Sequence, residues 1–442
     1  MVTPSVLAVK GPVALESPTA LSTHQKSAPT QWRHRKALLW LFVAAVIVTH
    51  IFFLWRVRDR IARGDPDFTV FYTAGKMLRE GLGPQLYNPR AQLAVQAEFA
   101  KNSDIRRGPL PYIHPPFEAL FFLPLTFLPY TQAFTAWNLI NLTALFGVAM
   151  LLKNPLLSLQ AIPVRQMVVL CLAFFPIFAN FHQGQDAILL LLVVTLSFRA
   201  LDHDADFVAG CWLGFGLFKY HLIVPLALIL AIWRGRKFIL GFGLVSSAAV
   251  LISSALVGWK GALQYPAYAW NVVSHPAFGG IPPGQLPSLY GLLAGWPFSR
   301  HAGLVVHVVV AAGSLALVMM LAGLRKCAQK RGSFRLCFAG AVIVALLVGY
   351  STNSYDLSLL VLPLAVIVNR LLESPLERKT LLAPAIPLFI SPLWFLLWMR
   401  WQRINLMALF LLWWLFALIA EVRRLRDQRE QRFPESRVVA NV

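Results

Sequence analysis

The sequence predicts an all-α polytopic membrane protein, and three features support this prediction. Hydrophobic residues make up 57 % of the 442 residues and charged residues only 13 %, whereas soluble domains average roughly 45–50 % and about 25 %. The apolar residues fall into runs of about 15–25, the length that spans a bilayer. No polar linker divides the chain after residue 36. These features exclude a soluble enzyme, a disordered protein and a coiled coil.

The apolar runs predict a bundle of about twelve transmembrane helices. The predicted spans are 37–55, 115–130, 133–152, 164–181, 186–201, 207–233, 238–258, 302–324, 336–350, 357–372, 380–399 and 404–421. The segments between 115 and 233 are short, and a second arrangement is open there. In that arrangement 115–152 crosses once, 207–233 is a re-entrant pair, and the ends of 153–206 exchange sides.

The orientation follows from the distribution of Lys and Arg, which are enriched in cytoplasmic segments. In the twelve-span arrangement the inner segments carry 22 of them and the short outer loops carry 7. The inner segments are 1–36, 234–237, 325–335, 370–379 and the tail after 421. The short outer loops are 153–165, 199–206, 259–300, 350–356 and 400–403. Both termini are therefore predicted to be cytoplasmic.

The chain divides into two tails and one membrane domain. Residues 1–36 are rich in Ser, Thr and Pro and read as a disordered cytoplasmic tail. Residues 37–421 form the transmembrane domain, and 422–442 form a basic cytoplasmic tail on anionic lipid. The net charge of +21 therefore indicates membrane orientation and lipid contact rather than nucleic acid. The four cysteines show neither disulfide nor metal-ligand spacing.

Two long outer loops, 56–115 and 259–300, are candidates for function. The second is rich in Trp and Tyr, which suits a membrane interface or a sugar-binding surface. In the first, apolar residues from Phe68 to Leu82 recur at helical spacing and predict an amphipathic helix on the outer surface. Asp65 followed by Pro66 predicts the start of that helix. Asp67 is then left to face the bilayer groove as a catalytic candidate, although both acids could simply cap the helix.

The same segment resembles the first-loop signature of glycosyltransferase family 87. The matching residues are Asp67-Phe68-Thr69-Val70-Phe71-Tyr72-x-Ala74-Gly75, Gly81-x-Gly83 and Leu86-Tyr87. Further matches follow in order: Tyr112-Ile113-His114-Pro115-Pro116-Phe117 with Pro124, Gly184-Gln185, Phe218-Lys219 with Pro225, and Asn353-x-Tyr355. The resemblance covers roughly residues 37–400, and its first-loop motif is fairly specific.

The resemblance implies a GT-C architecture and a polyprenol-phosphate-mannose-dependent activity. Such an enzyme moves a hexose, mannose or another, from a polyprenyl-phosphate carrier to a lipid-linked or envelope glycan. Transfer takes place with inversion on the outer face of the bacterial inner membrane, without a metal or other cofactor. Asp67 is the expected general base, because one carboxylate suffices when phosphate is the leaving group.

The remaining polar residues supply the candidate ligands of donor and acceptor. Candidates for the donor phosphate are Lys76, Lys219, His221, His275, Arg300 and His301. Candidates for the donor sugar are Gln183, Gln185, Asn353 and Tyr355. Acceptor or supporting roles are expected for Asp65, Tyr72, Tyr87, His114 and Asp356. Structural alternatives are open for several: Lys219 could pair with a carbonyl at a helix break, the amide residues could join helices, and the tyrosines could pack.

Two other functions fit a polytopic membrane chain. A transporter or flippase for a lipid or small polar solute would show internal repeats and charge at the bilayer midplane. The sequence shows no repeat, and Lys219 is the only charge expected there. An inactive scaffold on the same fold differs from the enzyme only in an activity assay.

Overall fold

The computed structural model describes residues 30–100, 110–274, 281–294, 303–373, 381–386 and 405–432. Every regular element within these ranges is a helix, as the sequence predicts. The first helices are α1 (Thr30–Arg56), α2 (Arg58–Ala62), α3 (Phe68–Arg79), α4 (Pro89–Phe99) and α5 (Ala119–Phe122). Residues 30–36 are thus helical, which shortens the predicted N-terminal tail.

The rest of the chain is a series of longer helices joined by short breaks. These helices are α6 (Tyr130–Lys153), α7 (Val164–Leu172), α8 (Phe175–Gln183), α9 (Ala187–Asp202), α10 (Asp206–Phe215), α11 (Tyr220–Arg234), α12 (Arg236–Ser274), α13 (Leu289–Ala294), α14 (Gly303–Ala322), α15 (Arg325–Ala328), α16 (Arg331–Val348), α17 (Val361–Glu373) and α18 (Met407–Arg432). Helix α12 is kinked at Gly258, where the backbone leaves the helical region.

Within the described ranges, six stretches are long and apolar enough to cross a membrane, and there are seven if the pair α7–α8, bent by 74°, is one broken span. They are Lys36–Arg56, Tyr130–Lys153, Asp206–Arg234, Arg236–Val273, Gly303–Ala322 and Arg331–Val348. These stretches make the chain a multi-pass membrane protein. The number twelve is not confirmed, and most of the predicted span 380–399 lies outside the described residues.

The stretch from 206 to 234 turns back on itself. Arg234 Nη1, at the end of α11, lies 3.6 Å from Asp206 Oδ1, at the start of α10, and 3.3 Å from Asp204 Oδ1. A single straight helix of this length would separate its ends by about 40 Å. The reversal occurs at the 3₁₀ segment Gly216–Lys219. The predicted crossing 207–233 is therefore a helical hairpin that returns to its own side.

The segment 115–130 also returns to its starting side. It consists of the 3₁₀ turn Pro116–Glu118, helix α5 and the 3₁₀ turn Leu123–Phe127. Its far end is held by the first-loop helix, because Tyr72 donates a hydrogen bond from its hydroxyl to the Leu128 carbonyl (2.9 Å). Tyr130 follows at 2.9 Å from the Thr69 hydroxyl. Of the two arrangements open in the sequence, the structure therefore favours the second.

This arrangement groups two predicted outer loops with segments that the sequence predicts to be inner. Ser158 N–H donates to Asn369 Oδ1 (2.9 Å), beside the inner segment 370–379, and Asp202 pairs with Arg335 (3.0 Å), at the start of α16. With 153–165 and 199–206 counted inside, the inner segments carry 25 Lys and Arg and the short outer loops carry 4. The charge asymmetry becomes sharper than in the twelve-span arrangement.

Helix α3 forms as predicted but is enclosed by protein. Nine of its twelve residues are buried, because aromatic side chains from α3 and from residues 112–137 pack into one cluster. Phe71 stacks on Phe122 with ring centroids 4.6 Å apart. The expected position of α3 on the outer surface is therefore wrong. The N-cap position is Asp67 rather than the expected Asp65, and Asp65 pairs with Arg60 (2.8 Å).

Candidate active site

Eight of the predicted site residues line one cavity. They come from segments far apart in the chain, among them the loops 56–115 and 350–356, which the sequence predicts to be outer. These residues are Asp67, His114, Gln185, Lys219, His221, Asn353, Tyr355 and Asp356. Val272, Val273, Ile281 and Leu286 add an apolar wall. The outer loops therefore converge on a single polar site with one apolar side, the usual composition of a small-molecule pocket.

Asp67 lies directly before α3 and is held by two glutamines. Its backbone N–H donates to Gln183 Oε1 (3.1 Å), and its Oδ2 accepts a hydrogen bond from Gln185 Nε2 (2.8 Å). Gln183 is the last residue of α8, and Gln185 lies in the turn between α8 and α9. The carboxylate therefore has a fixed orientation at the cavity wall.

Gly184 lets this turn approach the first-loop helix closely. Its backbone is left-handed (φ +61°), and a Cβ atom there would lie 2.7 Å from Phe68 Cβ. The carbonyl of the next residue, Gln185, accepts hydrogen bonds from Trp137 Nε1 (3.2 Å) and Asn141 Nδ2 (3.1 Å). Glycine is the residue that adopts this conformation without strain. The turn, and with it the amide that reaches Asp67, is thereby fixed.

Lys219 forms the centre of a buried ion cluster. Its side chain is 2 % exposed, and Nζ lies 2.9 Å from Asp186 Oδ1 and 3.0 Å from Asp356 Oδ1. It also donates to Gln185 Oε1 (3.4 Å) and lies 5.0 Å from the centre of the Tyr355 ring. A buried charge needs such partners, because desolvation without them costs several kcal/mol. The alternative of a backbone carbonyl partner for Lys219 is therefore wrong.

Asp356 connects the cluster to a second side of the cavity. Its Oδ2 accepts a hydrogen bond from the Asn353 backbone N–H (2.8 Å) and lies 4.0 Å from His221 Nε2. His221 is 18 % exposed, so it reaches the cavity more openly than Lys219 does. Imidazole and amide donors thus face the cavity beside the carboxylates.

His114, Glu118 and Asp186 form the back of the site. Their ligand atoms lie within 4.8 Å of one another, so among the described residues this trio has the chemistry and spacing to hold a metal ion. Asp186 is already paired with Lys219, and His114 Nδ1 lies 3.0 Å from Glu118 Oε2. Burial lowers the pKa of His114 to about 4. His114 is therefore a neutral imidazole at neutral pH.

Five predicted site residues do not line the cavity. One of them, Gln183, accepts the hydrogen bond from the Asp67 N–H described above. Lys76 pairs with Glu80 (2.5 Å) and Glu98 (2.9 Å), and these carboxylates outweigh partial burial and raise its pKa. Tyr87 donates its hydroxyl to the His114 carbonyl (2.8 Å). Together with Asp65 and Tyr72, whose contacts are given above, these residues support the first-loop fold. Three other candidates, His275, Arg300 and His301, lie outside the described residues.

Asp186 and Glu118 are not among the site residues expected from the sequence. Asp186 follows Gly184-Gln185 directly and is the nearer partner of Lys219. The signal that could have identified Asp186 is an acid within an apolar region long enough to span a membrane that also contains a lysine. Charged side chains in such regions usually pair with one another.

The fold and the cavity together define the class: a polytopic membrane protein with a built polar site. The family model of glycosyltransferase family 87 matches residues 112–349, more than half of the chain. The chain belongs to this family, which makes it a membrane glycosyltransferase of the GT-C type. Asp67 and the segment 353–356 lie outside the matched residues. Searches among curated proteins and among solved structures gave no match.

Proposed function

We propose that the protein transfers a hexose, in the first place mannose, from a polyprenyl-phosphate carrier to a lipid-linked or envelope glycan. The reaction takes place on the outer face of the bacterial inner membrane, with inversion at the anomeric carbon. The observation that carries the proposal is the position of Asp67, whose carboxylate is oriented by Gln185 at the wall of the cavity.

In the reaction an acceptor hydroxyl attacks the anomeric carbon. The new C–O bond forms as the bond from that carbon to the phosphate oxygen breaks, and its electron pair leaves with the polyprenyl phosphate. Asp67 accepts the proton of the attacking hydroxyl as general base. The phosphate leaves without prior protonation, so a second catalytic carboxylic acid of the kind that glycoside hydrolases use is not needed.

The leaving phosphate needs donors where its charge grows. His221, Asn353 and Tyr355 line the same cavity as Asp67 and supply imidazole, amide and hydroxyl donors. Lys219 is held by Asp186 and Asp356, so its charge is already balanced. We assign the phosphate to the His221 side of the cavity, and to Lys219 the role of ordering the carboxylates and Gln185.

Gln185 is then a positioning residue rather than a sugar ligand. It links Lys219 Nζ to Asp67 Oδ2 through the two ends of one amide. A Gln185→Leu variant is expected to lose about tenfold to a hundredfold in kcat, because misplacing a catalytic group costs this much. KM for donor and acceptor is expected to change little. A rise in KM at unchanged kcat would return Gln185 to substrate binding.

The main test is transfer from a labelled polyprenyl-phosphate mannose to a glycan acceptor by the purified protein. Asp67→Asn keeps the size and a hydrogen-bonding group but removes the base. Transfer is expected to fall by about a hundredfold or more, the contribution of general-base catalysis. Asp59→Asn is the matched control, because Asp59 is an exposed acid of the same loop that pairs with Arg58.

Two results would overturn the proposal. Equal activity of Asp67→Asn and wild type would remove the base assignment. Absence of transfer from several polyprenyl-phosphate sugars, together with solute or lipid transport in liposomes, would favour the transporter alternative.

A further inference from the structure

A second pocket lies at the other end of the helices that lead to the cavity. Helix α16 ends beside Ser351 and Asn353, which line the cavity, and begins beside Lys330 and Ser333, which line this second pocket. Eighteen helical residues span about 27 Å, close to the roughly 30 Å of a bilayer core. Helix α17 leads in the same way from the Asp356 side to Arg370. The second pocket therefore lies at the opposite membrane interface.

This pocket, here called the basic pocket, has a volume of about 580 Å³. It is lined by four cationic side chains and by no acid among the described residues. The cations are Lys326, Lys330, Arg370 and Arg426. They come from 325–335, 370–379 and the tail after 421, three segments that the charge distribution assigns to the cytoplasmic side. Three separate parts of the chain thus bring positive charge to one place.

The two lysines give the basic pocket its excess charge. Arg370 pairs with Glu373 (3.1 Å) and lies 3.9 Å from Glu421, and Arg426 lies 3.3 Å from Asp427. Lys326 and Lys330 are exposed, and within the described part of the chain no acid pairs with either. The first turn of α16, with Gly332 and Ser333, also lines the pocket and adds the positive end of a helix dipole.

We propose that the basic pocket binds a phosphate group, and specifically the head group of an anionic phospholipid. Exposed cations between transmembrane helices at the cytoplasmic interface match the charge of such head groups. The pocket is large enough for one head group, and Leu324 and Leu425 in its wall give an apolar surface on which the first part of an acyl chain can pack. This site is separate from the proposed reaction, so the activity assay and the lipid assay fail independently.

The test uses the purified full-length protein in neutral detergent, titrated with phosphatidylglycerol and followed by native mass spectrometry. Phosphatidylcholine is the zwitterionic reference. We expect wild type to retain phosphatidylglycerol in preference to phosphatidylcholine. Lys326→Gln/Lys330→Gln is expected to weaken phosphatidylglycerol binding by about 25-fold, because each cation near anionic lipid contributes about a factor of five.

The matched control is Arg325→Gln/Arg423→Gln. It removes the same charge from exposed residues of the same segments that do not line the pocket, and its binding is expected to stay within about twofold of wild type. Equal losses in the two double variants would overturn the site in favour of general surface attraction. Competition by inorganic phosphate without lipid retention would identify free phosphate as the ligand and overturn the lipid assignment. A common thermal midpoint for all proteins excludes misfolding as the cause.

Discussion

The two ends of α16 use charge in opposite ways. At the cavity, Lys219 is almost completely buried and is shared by Asp186 and Asp356. At the basic pocket, Lys326 and Lys330 are exposed and no described acid faces them. Buried charges that balance one another fix the geometry of a site, whereas exposed, unbalanced charges leave the balance to a ligand. The first arrangement suits catalysis at a fixed carboxylate, and the second suits capture of an anion.

The strongest test of this difference between the cavity and the basic pocket removes one lysine from each. Lys219→Met is expected to lower the free energy of unfolding by about 3–5 kcal/mol, because it leaves two buried carboxylates without their cation. Lys330→Met is expected to change it by less than about 0.5 kcal/mol, as at other exposed positions. Chemical unfolding in detergent measures both. Similar losses in the two variants would contradict the difference between the ends.

The glycine at the cavity turn provides a second, smaller test. Gly184→Ala places a side chain on a left-handed backbone against Phe68 and is expected to cost about 1–3 kcal/mol. Transfer activity should fall as well, since Gln185 moves with the turn. Gly243→Ala is the control, because a Cβ there meets no atom within 4 Å and alanine favours a helix. Wild-type stability in Gly184→Ala would show that the turn is not constrained.

Acid should affect the cavity end through His114. Burial lowers its pKa to about 4 in the folded protein, while the unfolded value is about 6.5. The unfolded state therefore binds more protons between these values, and stability is complete above about pH 6.5 and declines as the pH falls towards 4. Thermal midpoints from pH 7 to 4.5 measure the decline, and His114→Asn is expected to show a shallower one. An unchanged slope in His114→Asn would assign the effect to other groups.

Salt should have the smallest effect on stability, and its effect should differ between the cavity and the basic pocket. Raising the salt from 0.1 M to 1 M shortens the screening length from about 10 Å to about 3 Å. Phosphatidylglycerol binding at the basic pocket is expected to weaken, while the stability difference between wild type and Lys219→Met stays the same. A salt-dependent Lys219 difference would mean that the ion cluster is accessible to solvent.

The helical membrane fold could be predicted from the sequence because apolar run length is a local property. The side on which each short segment ends is not local. Residues 207–233 are apolar enough to cross, yet the pairing of Arg234 with Asp204 and Asp206 shows that they return. Helix α3 shows the same difference. Its helical pattern could be recognised in the sequence, but its burial under residues 112–137 depends on tertiary packing.

The site shows a similar division. Asp67, Gln185 and Asn353 could be selected as polar residues in a recognisable order, and the structure brings them to one cavity. The contacts of Lys219 could not be predicted, because Asp186 and Asp356 meet it only through the tertiary fold. The charge of Lys76 made it a reasonable candidate for the phosphate ligand, but Lys76 forms an ion pair with Glu98 on the neighbouring α4. The sequence therefore identifies candidate functional residues more reliably than it identifies the contacts between them.

The members of the ion cluster are synthesised at different times. Asp186 and Lys219 are synthesised first, whereas Asp356 follows 137 residues after Lys219. At about 5–20 residues per second, the ribosome needs roughly 7–27 s to deliver it. During that interval Asp186 is the only one of the two carboxylate partners of Lys219 that has been synthesised. Asp356 therefore completes the cluster, and nascent chains that end before residue 356 should lack the complete ion cluster.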